Sequence, residues 1–304
     1  MNNPFQQTPR VVIHLLMLLM VALIASSFPV GALITTALPP EVMMFIRFLL
    51  AALMFAPYVF VKNGWHRPKG KQLLGNAVLS IPLVVFFWCM FEALRYTSAL
   101  NTGAIYTTVP AMTAFYVFLI NREKTSKRRA AGLLLGTLGA LWIIVRGDIS
   151  SLLQLQLNRG DLLFILGCLF MGAYNPLIRK FYAGEPMEVM TFWVISIGGF
   201  WLLLLSLPSL AAIEWRAVDM NVYLGILYLA IFTTLVSFFL LQLGTLILGA
   251  TQVAAYSFLT PLFVVILNIL MGSTSLQWPL IPGIVLVIIA MLLVQKEQRS
   301  PHTA

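Results

Sequence analysis

Uncharged polar side chains recur at helical spacing within two long apolar segments of the sequence. Thr102, Tyr106 and Thr113 follow positions i, i+4 and i+11 of one segment, and Gln252, Tyr256 and Thr260 follow i, i+4 and i+8 of the other. These spacings place each set on one face of a helix. Such a face can bind a polar solute or hydrogen-bond a neighbouring helix, and both interpretations stay open.

Short polar and aromatic clusters in three other apolar segments offer similar chemistry. Two serines precede Pro29, a Tyr-Asn pair precedes Pro176, and a third segment contributes Trp88 and Phe91. Together these residues predict an aromatic, uncharged pocket for a small molecule. The predicted substrate-binding set is Ser26, Ser27, Trp88, Phe91, Thr102, Tyr106, Thr113, Tyr174, Asn175, Gln252, Tyr256 and Thr260.

Four prolines fall inside the apolar segments, at Pro29, Pro110, Pro176 and Pro261. A proline within a helix removes a backbone hydrogen bond and kinks the helix. Carbonyl groups freed in this way are tolerated in a membrane only where they face protein or a wet cavity. We interpret the four prolines as hinges or cavity markers, with static packing kinks as the alternative.

Two charged residues, Arg47 and Glu92, lie within apolar segments. An unpaired charge in a membrane is expensive, so we expect these two side chains to pair as a structural clamp. Substrate or proton binding, and separate snorkelling to the interface, are the alternatives. His14 lies near the start of the first segment, where an interfacial position is favoured over a role as proton carrier.

The remaining chemistry-bearing residues argue against an enzyme. The three aspartates, Asp148, Asp161 and Asp219, fall in connections between apolar segments, and no H-E-x-x-H or G-x-S-x-G pattern occurs. Cys89 and Cys168 are interpreted as small buried apolar residues rather than as a disulfide or metal pair. We therefore expect no bound metal or cofactor.

The segments that must position these residues are membrane spans. The chain has 304 residues, of which 60% are hydrophobic and only 10% charged. An ordinary soluble domain carries about 25% charged residues, so a soluble globular fold is excluded. Blocks of roughly 20 apolar residues suit transmembrane helices. Ten such blocks cover residues 11–31, 41–61, 73–94, 98–120, 130–146, 161–182, 187–207, 222–242, 250–271 and 280–294.

The net charge of +9 predicts orientation rather than nucleic-acid binding. With a cytoplasmic N-terminus, 14 cations fall on the inner side and four on the outer side. This bias is expected of a multi-pass protein of a bacterial-type inner membrane with both termini in the cytoplasm. The predicted partners are the lipid bilayer and a small-molecule substrate, and the chain is expected to be a monomer or a weak homodimer.

The two halves of the sequence repeat one another. At an offset of 147, Pro29 aligns with Pro176 and Glu41 with Glu188, and at an offset of 151, Pro110 aligns with Pro261 and Gly132 with Gly283. Each half holds five spans, so the second half is expected to be inverted relative to the first. Inverted repeats of broken helices are an architecture of secondary transporters.

At this level the sequence resembles the EamA-type members of the drug/metabolite transporter superfamily. The resemblance rests on ALRYTSALNTGAIYTTVPAMTAFYVFLINRE (93–123), FIRFLLAAL (45–53) and Gly160-Asp161, and it covers two EamA-like units, 11–146 and 161–294. It implies a carrier of ten transmembrane helices, without a bound cofactor, that moves small metabolites and often exports them. It also implies a pathway lined by spans 1, 3, 4, 6, 8 and 9, with bends in spans 4 and 9.

These observations together predict an all-α secondary transporter that works by alternating access between the two inverted repeats. The substrate is expected to be a neutral, zwitterionic or aromatic metabolite, such as an amino acid or derivative, a vitamin-like compound or a drug. Export by facilitated transport or exchange is favoured over obligatory proton coupling. An uptake carrier of the same fold is the main alternative, and a channel or lipid scramblase is a further one.

Overall fold

The computed structural model describes residues 9–64, 68–123, 126–145, 158–270 and 278–295. Within these residues all regular structure is helical, which confirms the all-α prediction. The α-helices are α1 (Arg10–Ile34), α2 (Pro40–Asn63), α3 (Gly70–Ala93), α4 (Ala99–Tyr106), α5 (Val109–Tyr116), α6 (Lys127–Ile144), α7 (Arg159–Phe181), α8 (Met187–Leu210), α9 (Met220–Ile247), α10 (Ala250–Ala255), α11 (Thr260–Leu270) and α12 (Ile281–Gln295).

The helices have the length and composition of membrane spans. Among the described residues, eight helical segments are long and apolar enough to cross a bilayer, and Val109–Asn121 is a shorter apolar helix. Large apolar side chains such as Leu33 and Val61 are exposed on the outside of the bundle. In water such a surface would be unfavourable, whereas acyl chains cover it without cost. The chain is a multi-pass membrane protein.

The fourth and fifth predicted spans are absent from these eight segments of the described residues. The fourth span consists of α4 and α5, which are separated by a turn at Thr107 and Thr108, and the chain continues after α5 as a π-helix over Val117–Asn121. The fifth span corresponds to α6, whose first turn carries Lys127, Arg128 and Arg129. The total of ten spans stays a prediction.

Local sequence explains where several helices begin. Pro39 and Pro186 have nearly the same backbone angles and directly precede α2 and α8. Asn158 and Asp161 form a reciprocal capping box at the start of α7, in which each side chain accepts a hydrogen bond from the other's backbone N–H. Gly249 has a φ of 101°, a conformation that favours glycine, and it turns the chain from α9 into α10.

Three pairs of helices pack closely across the bundle: α2 with α8, α3 with α7, and α6 with α12. Glycines allow the close approach of α6 and α12. A Cβ atom at Gly139 would lie 2.9 Å from the carbonyl oxygen of Gly283, and a Cβ at Gly283 would lie 2.8 Å from that of Gly139. Small residues of this kind are the usual means by which membrane helices reach van der Waals contact.

The α2–α8 pair is held by a polar contact at each end. The Ser209 hydroxyl at the end of α8 donates to Glu41 Oε1 at the start of α2 over 2.7 Å. At the other end, Lys62 Nζ lies 2.9 Å from Glu188 Oε1, and Asn63 donates to the same oxygen over 3.2 Å. The start of each helix therefore contacts the end of the other, so the two helices run antiparallel.

Candidate functional site

Two small enclosed cavities lie in the middle of the bundle. The first, which we call the Thr233 cavity, has a volume of about 10 Å³ and is lined by Ile24, Ser27, Phe28, Phe86, Phe87, Met90, Tyr106, Met171, Thr233 and Phe238. The second, the Ser257 cavity, also has about 10 Å³ and is lined by Met20, Val21, Ile24, Tyr106, Val109, Met171, Asn175, Leu241, Val253, Ala254 and Ser257. Each has room for about one water molecule.

The two cavities are neighbours, because Ile24, Tyr106 and Met171 line both of them. Aromatic rings dominate the wall of the Thr233 cavity. The ring of Tyr106 lies 5.6 Å from that of Phe28 and 5.7 Å from that of Phe86, measured between centroids. Edge-to-face and tilted ring pairs at such distances are favourable beyond the area that they bury. The wall of this cavity is therefore largely aromatic.

Two of the helical segments beside the cavities are interrupted. Pro110 follows the turn between α4 and α5, and Pro261 follows a 3₁₀ segment, Tyr256–Leu259, between α10 and α11. Two of the four prolines of the hinge prediction therefore lie at an observed break. Pro29 and Pro176 instead lie within the unbroken helices α1 and α7. A hinge at these two positions stays a prediction.

Three buried hydroxyl groups near these breaks have no hydrogen-bond partner among the described residues. They belong to Thr113, Ser257 and Thr260. Ser257 is 6% exposed and lines the Ser257 cavity, whose wall also includes the side chain of Asn175. Buried polar groups in native proteins are nearly always hydrogen-bonded, so an unpaired hydroxyl that borders a cavity indicates a place for a polar ligand atom or a water.

The structure brings three of the predicted substrate-binding residues to the cavities: Ser27, Tyr106 and Asn175. Ser26, one residue away, has a different contact, because its hydroxyl hydrogen-bonds that of Tyr228 over 2.7 Å. Thr102, Thr113, Gln252 and Thr260 are buried on the broken helices without lining either cavity. Their role in binding stays a prediction.

The two aromatic residues predicted on α3 lie on a different face of the helix from the residues that line the cavity. Trp88 is half-buried and lines neither cavity. Phe91 is fully buried, but its ring packs against Gly31 of α1, where a Cβ would lie 3.1 Å from Phe91 Cζ. The cavity wall is formed instead by Phe86, Phe87 and Met90 of the same helix. Phe86 and Phe87 lie four and three residues before Met90, a spacing that places these three side chains on one face of α3. This spacing was the signal in the sequence for the face that lines the cavity.

Tyr174 takes part in a buried chain of hydrogen bonds that joins α7, α8 and α9. Gln242 Nε2 donates to Tyr174 Oη over 3.0 Å, and the Thr191 hydroxyl donates to Gln242 Oε1 over 2.5 Å. All three side chains are fully buried. Gln242 is polar and central, yet it was not among the predicted residues, because a single glutamine in an apolar segment has no periodic partner.

We expect Gln242→Leu to lower stability by about 1–3 kcal/mol, since it leaves the buried Tyr174 hydroxyl without its partner. The effect would appear as a lower midpoint of thermal unfolding of the protein in detergent. Adding Tyr174→Phe should restore most of the loss, because replacing both polar partners by apolar groups removes the unpaired hydroxyl. A single Gln242→Leu variant as stable as the parent would contradict the assignment.

Each end of the bundle is closed by a polar contact between the halves of the chain. At one end, the Thr97 hydroxyl donates to Asp161 Oδ1 over 2.7 Å. At the other end, His14 Nδ1 and the Tyr256 hydroxyl share a hydrogen bond. Arg179 Nη1 lies 2.7 Å from Glu123 Oε1 at that same end. Both the predicted residue Tyr256 and His14 thus belong to a closing contact rather than to a cavity wall.

The predicted pairing of Arg47 with Glu92 is wrong. Arg47 is fully buried, and its Nε and Nη2 atoms donate to the hydroxyls of Thr234 and Thr233 over 2.5 and 2.7 Å. Glu92 lies at the end of α3, where it accepts from the Tyr96 hydroxyl over 3.0 Å and lies 3.4 Å from Arg95 Nη1. Two neutral threonine hydroxyls on α9 take the place of the expected carboxylate.

Sequence reasoning missed the partners of Arg47 because they lie in an irregular part of α9. Thr233 and Thr234 belong to a π-helical segment, Ile231–Val236, within which the normal hydrogen-bond pattern is shifted. Arg47 Nη2 also donates to the Thr233 carbonyl oxygen over 3.0 Å. Such π-helical turns occur frequently at functional sites. A Thr-Thr pair within an apolar span was the only signal in the sequence.

The described residues contain no group of three or more His, Cys, Asp or Glu side chains that could hold a metal ion. Cys89 and Cys168 are buried and free. The described residues lining the two cavities include no Asp, Glu, His, Lys or Arg. The cavity walls can therefore supply hydroxyl, amide and aromatic contacts.

Fold and site together define a helical membrane protein with two small enclosed cavities beside interrupted helices. The EamA-like transporter family matches the chain twice, over residues 11–145 and 158–295. The chain belongs to this family, which confirms the resemblance that the sequence carries. Transport across a membrane is thereby the general function of the chain.

Several curated proteins are similar over most of their length. The uncharacterized transporter YyaM of Bacillus subtilis is 27% identical over 259 residues, which cover 83% of each chain. An uncharacterized transporter of Archaeoglobus fulgidus is 27% identical over 256 residues, 83% of this chain and 86% of that protein. One crystal structure matches with a TM-score of 0.74 at 15% identity and covers 96% of this chain and all of its own, which supports the fold alone.

Proposed function

We propose that the chain is a secondary transporter that moves a small neutral, zwitterionic or aromatic metabolite, in the direction of export. Amino acids and their derivatives, vitamin-like compounds and drugs of similar shape are the candidate solutes. Transport proceeds by alternating access between two inverted five-helix repeats, 11–146 and 161–294, which together form ten spans. The protein lies in a bacterial-type inner membrane with both termini in the cytoplasm, as a monomer or weak homodimer.

The contacts of α2 and α8 support the inverted repeat. Glu41 and Glu188 are equivalent at an offset of 147, and so are Lys62 and Ser209. Glu41 contacts Ser209, and Glu188 contacts Lys62. Exchanging the two halves therefore exchanges the two contacts, as a twofold axis between antiparallel helices requires.

The α6–α12 pair supports the same axis. Gly132 and Gly283 are equivalent at an offset of 151, as are Ile143 and Val294. A Cβ at Gly132 would lie 2.9 Å from Val294, and a Cβ at Gly283 would lie 2.8 Å from Ile143. Exchanging the two halves therefore exchanges the contacts within this helix pair, as it does for α2 and α8.

The observation that carries the proposal is the pair of enclosed cavities at the centre of the bundle. Both lie beside the interrupted helices, and the Ser257 hydroxyl on the second interruption has no partner among the described residues. At about 10 Å³ each, the cavities are too small for a metabolite. A solute can enter only when the helices separate, which is the behaviour of a carrier rather than that of an open pore.

The closing contacts at the two ends supply the gates that alternating access needs. The Thr97–Asp161 contact closes one end and the His14–Tyr256 contact closes the other. Each contact joins the first helix of one half to a segment at or near the interrupted span of the other half. Opening one while the other stays closed would expose the cavities to one side of the membrane.

Facilitated transport or exchange is favoured over proton coupling. A proton-driven carrier needs a titratable group in its pathway. Glu92, the one carboxylate expected within the membrane, is engaged with Arg95 and Tyr96 at the end of α3 and lines neither cavity. The described cavity walls contain no carboxylate or histidine that would carry a proton.

A binding screen followed by transport tests this proposal. Purified protein is first screened by thermal unfolding against amino acids, their derivatives and vitamin-like compounds, because a ligand of the folded state raises its unfolding temperature. Solutes that bind are then tested in proteoliposomes. We expect saturable uptake that accelerates when the same solute is present on the opposite side. Absence of movement of every solute, with folded protein, would contradict a carrier.

Of the two alternatives, the same experiment distinguishes a channel or lipid scramblase, whereas an uptake carrier is distinguished in intact cells. An uptake carrier of this fold would give the same saturable exchange, and only its direction in intact cells would differ. A channel or lipid scramblase would give flux that rises linearly with concentration and is not stimulated from the opposite side. The closed cavities favour the carrier over these last two.

A further inference from the structure

Arg47 is a buried cation whose hydrogen-bonding capacity is only partly used. It lies seven residues into α2 from Pro40, about 10 Å along the helix axis. Its Nε and Nη2 atoms donate to oxygen atoms of Thr233 and Thr234. The acceptor of Nη1 among the described residues is the sulfur atom of Met44 at 3.9 Å, and a thioether is a weak acceptor.

No carboxylate among the described residues neutralises this cation. The buried acids are Asp161, Glu185 and Glu188. Asp161 caps α7, Glu185 accepts from the backbone N–H of Ala183, and Glu188 is paired with Lys62. A buried charge without a counter-charge is expensive, because the desolvation of the ion is not repaid.

Glu41 on the same helix and Glu92, which follows the neighbouring residue Phe91, both have other partners. Glu41 lies six residues earlier, about 9 Å along the same helix, and accepts from Ser209. Glu92 follows Phe91, whose ring centroid is 5.8 Å from Arg47 Cζ, but its carboxylate contacts Arg95 and Tyr96. Among the described residues, therefore, neither of these acids neutralises Arg47.

The cation lies directly behind the wall of the Thr233 cavity. Arg47 Cζ is 4.1 Å from the ring centroid of Phe87, and its Nη2 atom hydrogen-bonds Thr233. Phe87 and Thr233 both line that cavity. A single layer of side chains separates the guanidinium from the enclosed space, and in a low-dielectric core its attraction for an anion is strong.

We propose that Arg47 is the counter-charge for a carboxylate of the transported solute. This inference rests on the proposed function, in that the two cavities are taken as part of the transport site. It narrows the candidate solutes to small carboxylates, including zwitterions, that carry an aromatic or apolar group. The apolar group fits among Phe28, Phe86 and Phe238, while the carboxylate lies on the side of Phe87 and Thr233.

The monovalent charge of the site favours a carboxylate over a phosphate. A guanidinium donates short, charge-assisted hydrogen bonds to a carboxylate, and the Nε and Nη2 atoms of Arg47 are already engaged with Thr233 and Thr234. One cation balances one negative charge, whereas a phosphate ester dianion would enter the core with an uncompensated charge. Among the described residues the acceptor of Nη1 is the Met44 sulfur, so Nη1 is the donor that a carboxylate of the solute would use.

Matched pairs of a carboxylate and its primary amide test the inference, because the two differ in charge but hardly in shape. The probes are phenylacetate with phenylacetamide and indole-3-acetate with indole-3-acetamide. Their apparent affinities are measured from thermal unfolding of the purified protein. We expect the parent protein to bind each carboxylate about tenfold or more tightly than its amide.

Variants locate the source of that preference. Arg47→Gln should equalise the carboxylate and the amide, Arg47→Lys should keep most of the preference, and Arg95→Gln, which removes a cation outside both cavities, should leave it unchanged. If Arg47→Gln does not fold, the preference for the carboxylate over its amide is measured in the parent protein and in Arg47→Lys, and those two values decide. Equal or tighter binding of the amides by the parent protein would overturn the inference.

The same measurements separate this inference from the proposed function. If neutral amides bind and are transported as well as the carboxylates, the carrier function stands and the counter-charge is refuted. If the parent protein neither binds nor moves any solute of the wider metabolite screen, the carrier function itself fails and the inference fails with it.

Discussion

Replacing Gly139 with isoleucine is expected to prevent the chain from reaching a stable folded state. A Cβ at this position would lie 2.7 Å from Leu286 Cβ and 2.9 Å from both the Gly283 carbonyl oxygen and the Val287 nitrogen. Two of these three atoms belong to the backbone of α12, which cannot rotate away. The two helices must therefore separate along their whole contact. The loss of folding free energy then exceeds the roughly 1–3 kcal/mol that overpacking a single core position usually costs.

The yield of folded protein after extraction, and its unfolding temperature, measure this effect. Gly139→Ala should show an intermediate loss, because its Cβ alone makes the close contacts. Gly103→Ala is the matched control, since nothing lies within 4 Å of a Cβ at that position. It should be neutral or slightly stabilising, because alanine favours a helix over glycine. Similar behaviour of Gly139→Ala and Gly103→Ala would contradict the close α6–α12 contact.

Locking one end of the bundle should stop transport almost completely. Thr97 and Asp161 are in direct hydrogen-bonding contact, and they belong to opposite halves of the chain. The native cysteines are first removed by Cys89→Ala and Cys168→Ala. Thr97→Cys and Asp161→Cys then introduce two cysteines at the contact, and a short bifunctional thiol reagent joins them. A carrier that cannot open at one end cannot complete its cycle. A cleavable reagent should allow reduction to restore the activity of the uncross-linked variant.

A cross-link within one segment serves as the control for this experiment. Glu92 and Tyr96 are hydrogen-bonded at the same end of the bundle but lie on consecutive turns of one segment. Linking Glu92→Cys to Tyr96→Cys constrains neither half relative to the other, so transport should continue. Undiminished transport after complete cross-linking of Thr97→Cys and Asp161→Cys would show that this end does not open during turnover.

The sequence alone predicts the helical class, the family and the level of the helix breaks. Long apolar blocks identify helices, and prolines act locally, so Pro110 and Pro261 lie at observed breaks. Of the polar residues at helical spacing, Tyr106 lines the cavities, and Ser27 and Asn175 from the clusters beside prolines line them as well. These features depend on short-range sequence, which is why they were accessible.

The sequence does not predict which face of a helix turns inward, or where a helix departs from regular α-helical geometry. Within an apolar span such as α3 nearly every residue is hydrophobic, so no polar face fixes which side turns inward, and Phe87 rather than Trp88 lines the cavity. The partner of Arg47 lies in a π-helical turn 186 residues away, between threonines that carry no charge. Pairing charges by sign alone selected Glu92 and missed this contact.

The most direct test of alternating access is the reactivity of a cysteine at position 27 from each side of the membrane. Ser27 lines the Thr233 cavity. Proteoliposomes carry Ser27→Cys in the background that lacks Cys89 and Cys168, and a membrane-impermeant thiol reagent is applied outside or trapped inside. We predict labelling from either side while the vesicles stay tight to the reagent itself. Leakage of the reagent through the protein, or labelling from only one side, would contradict a carrier that opens alternately to both sides.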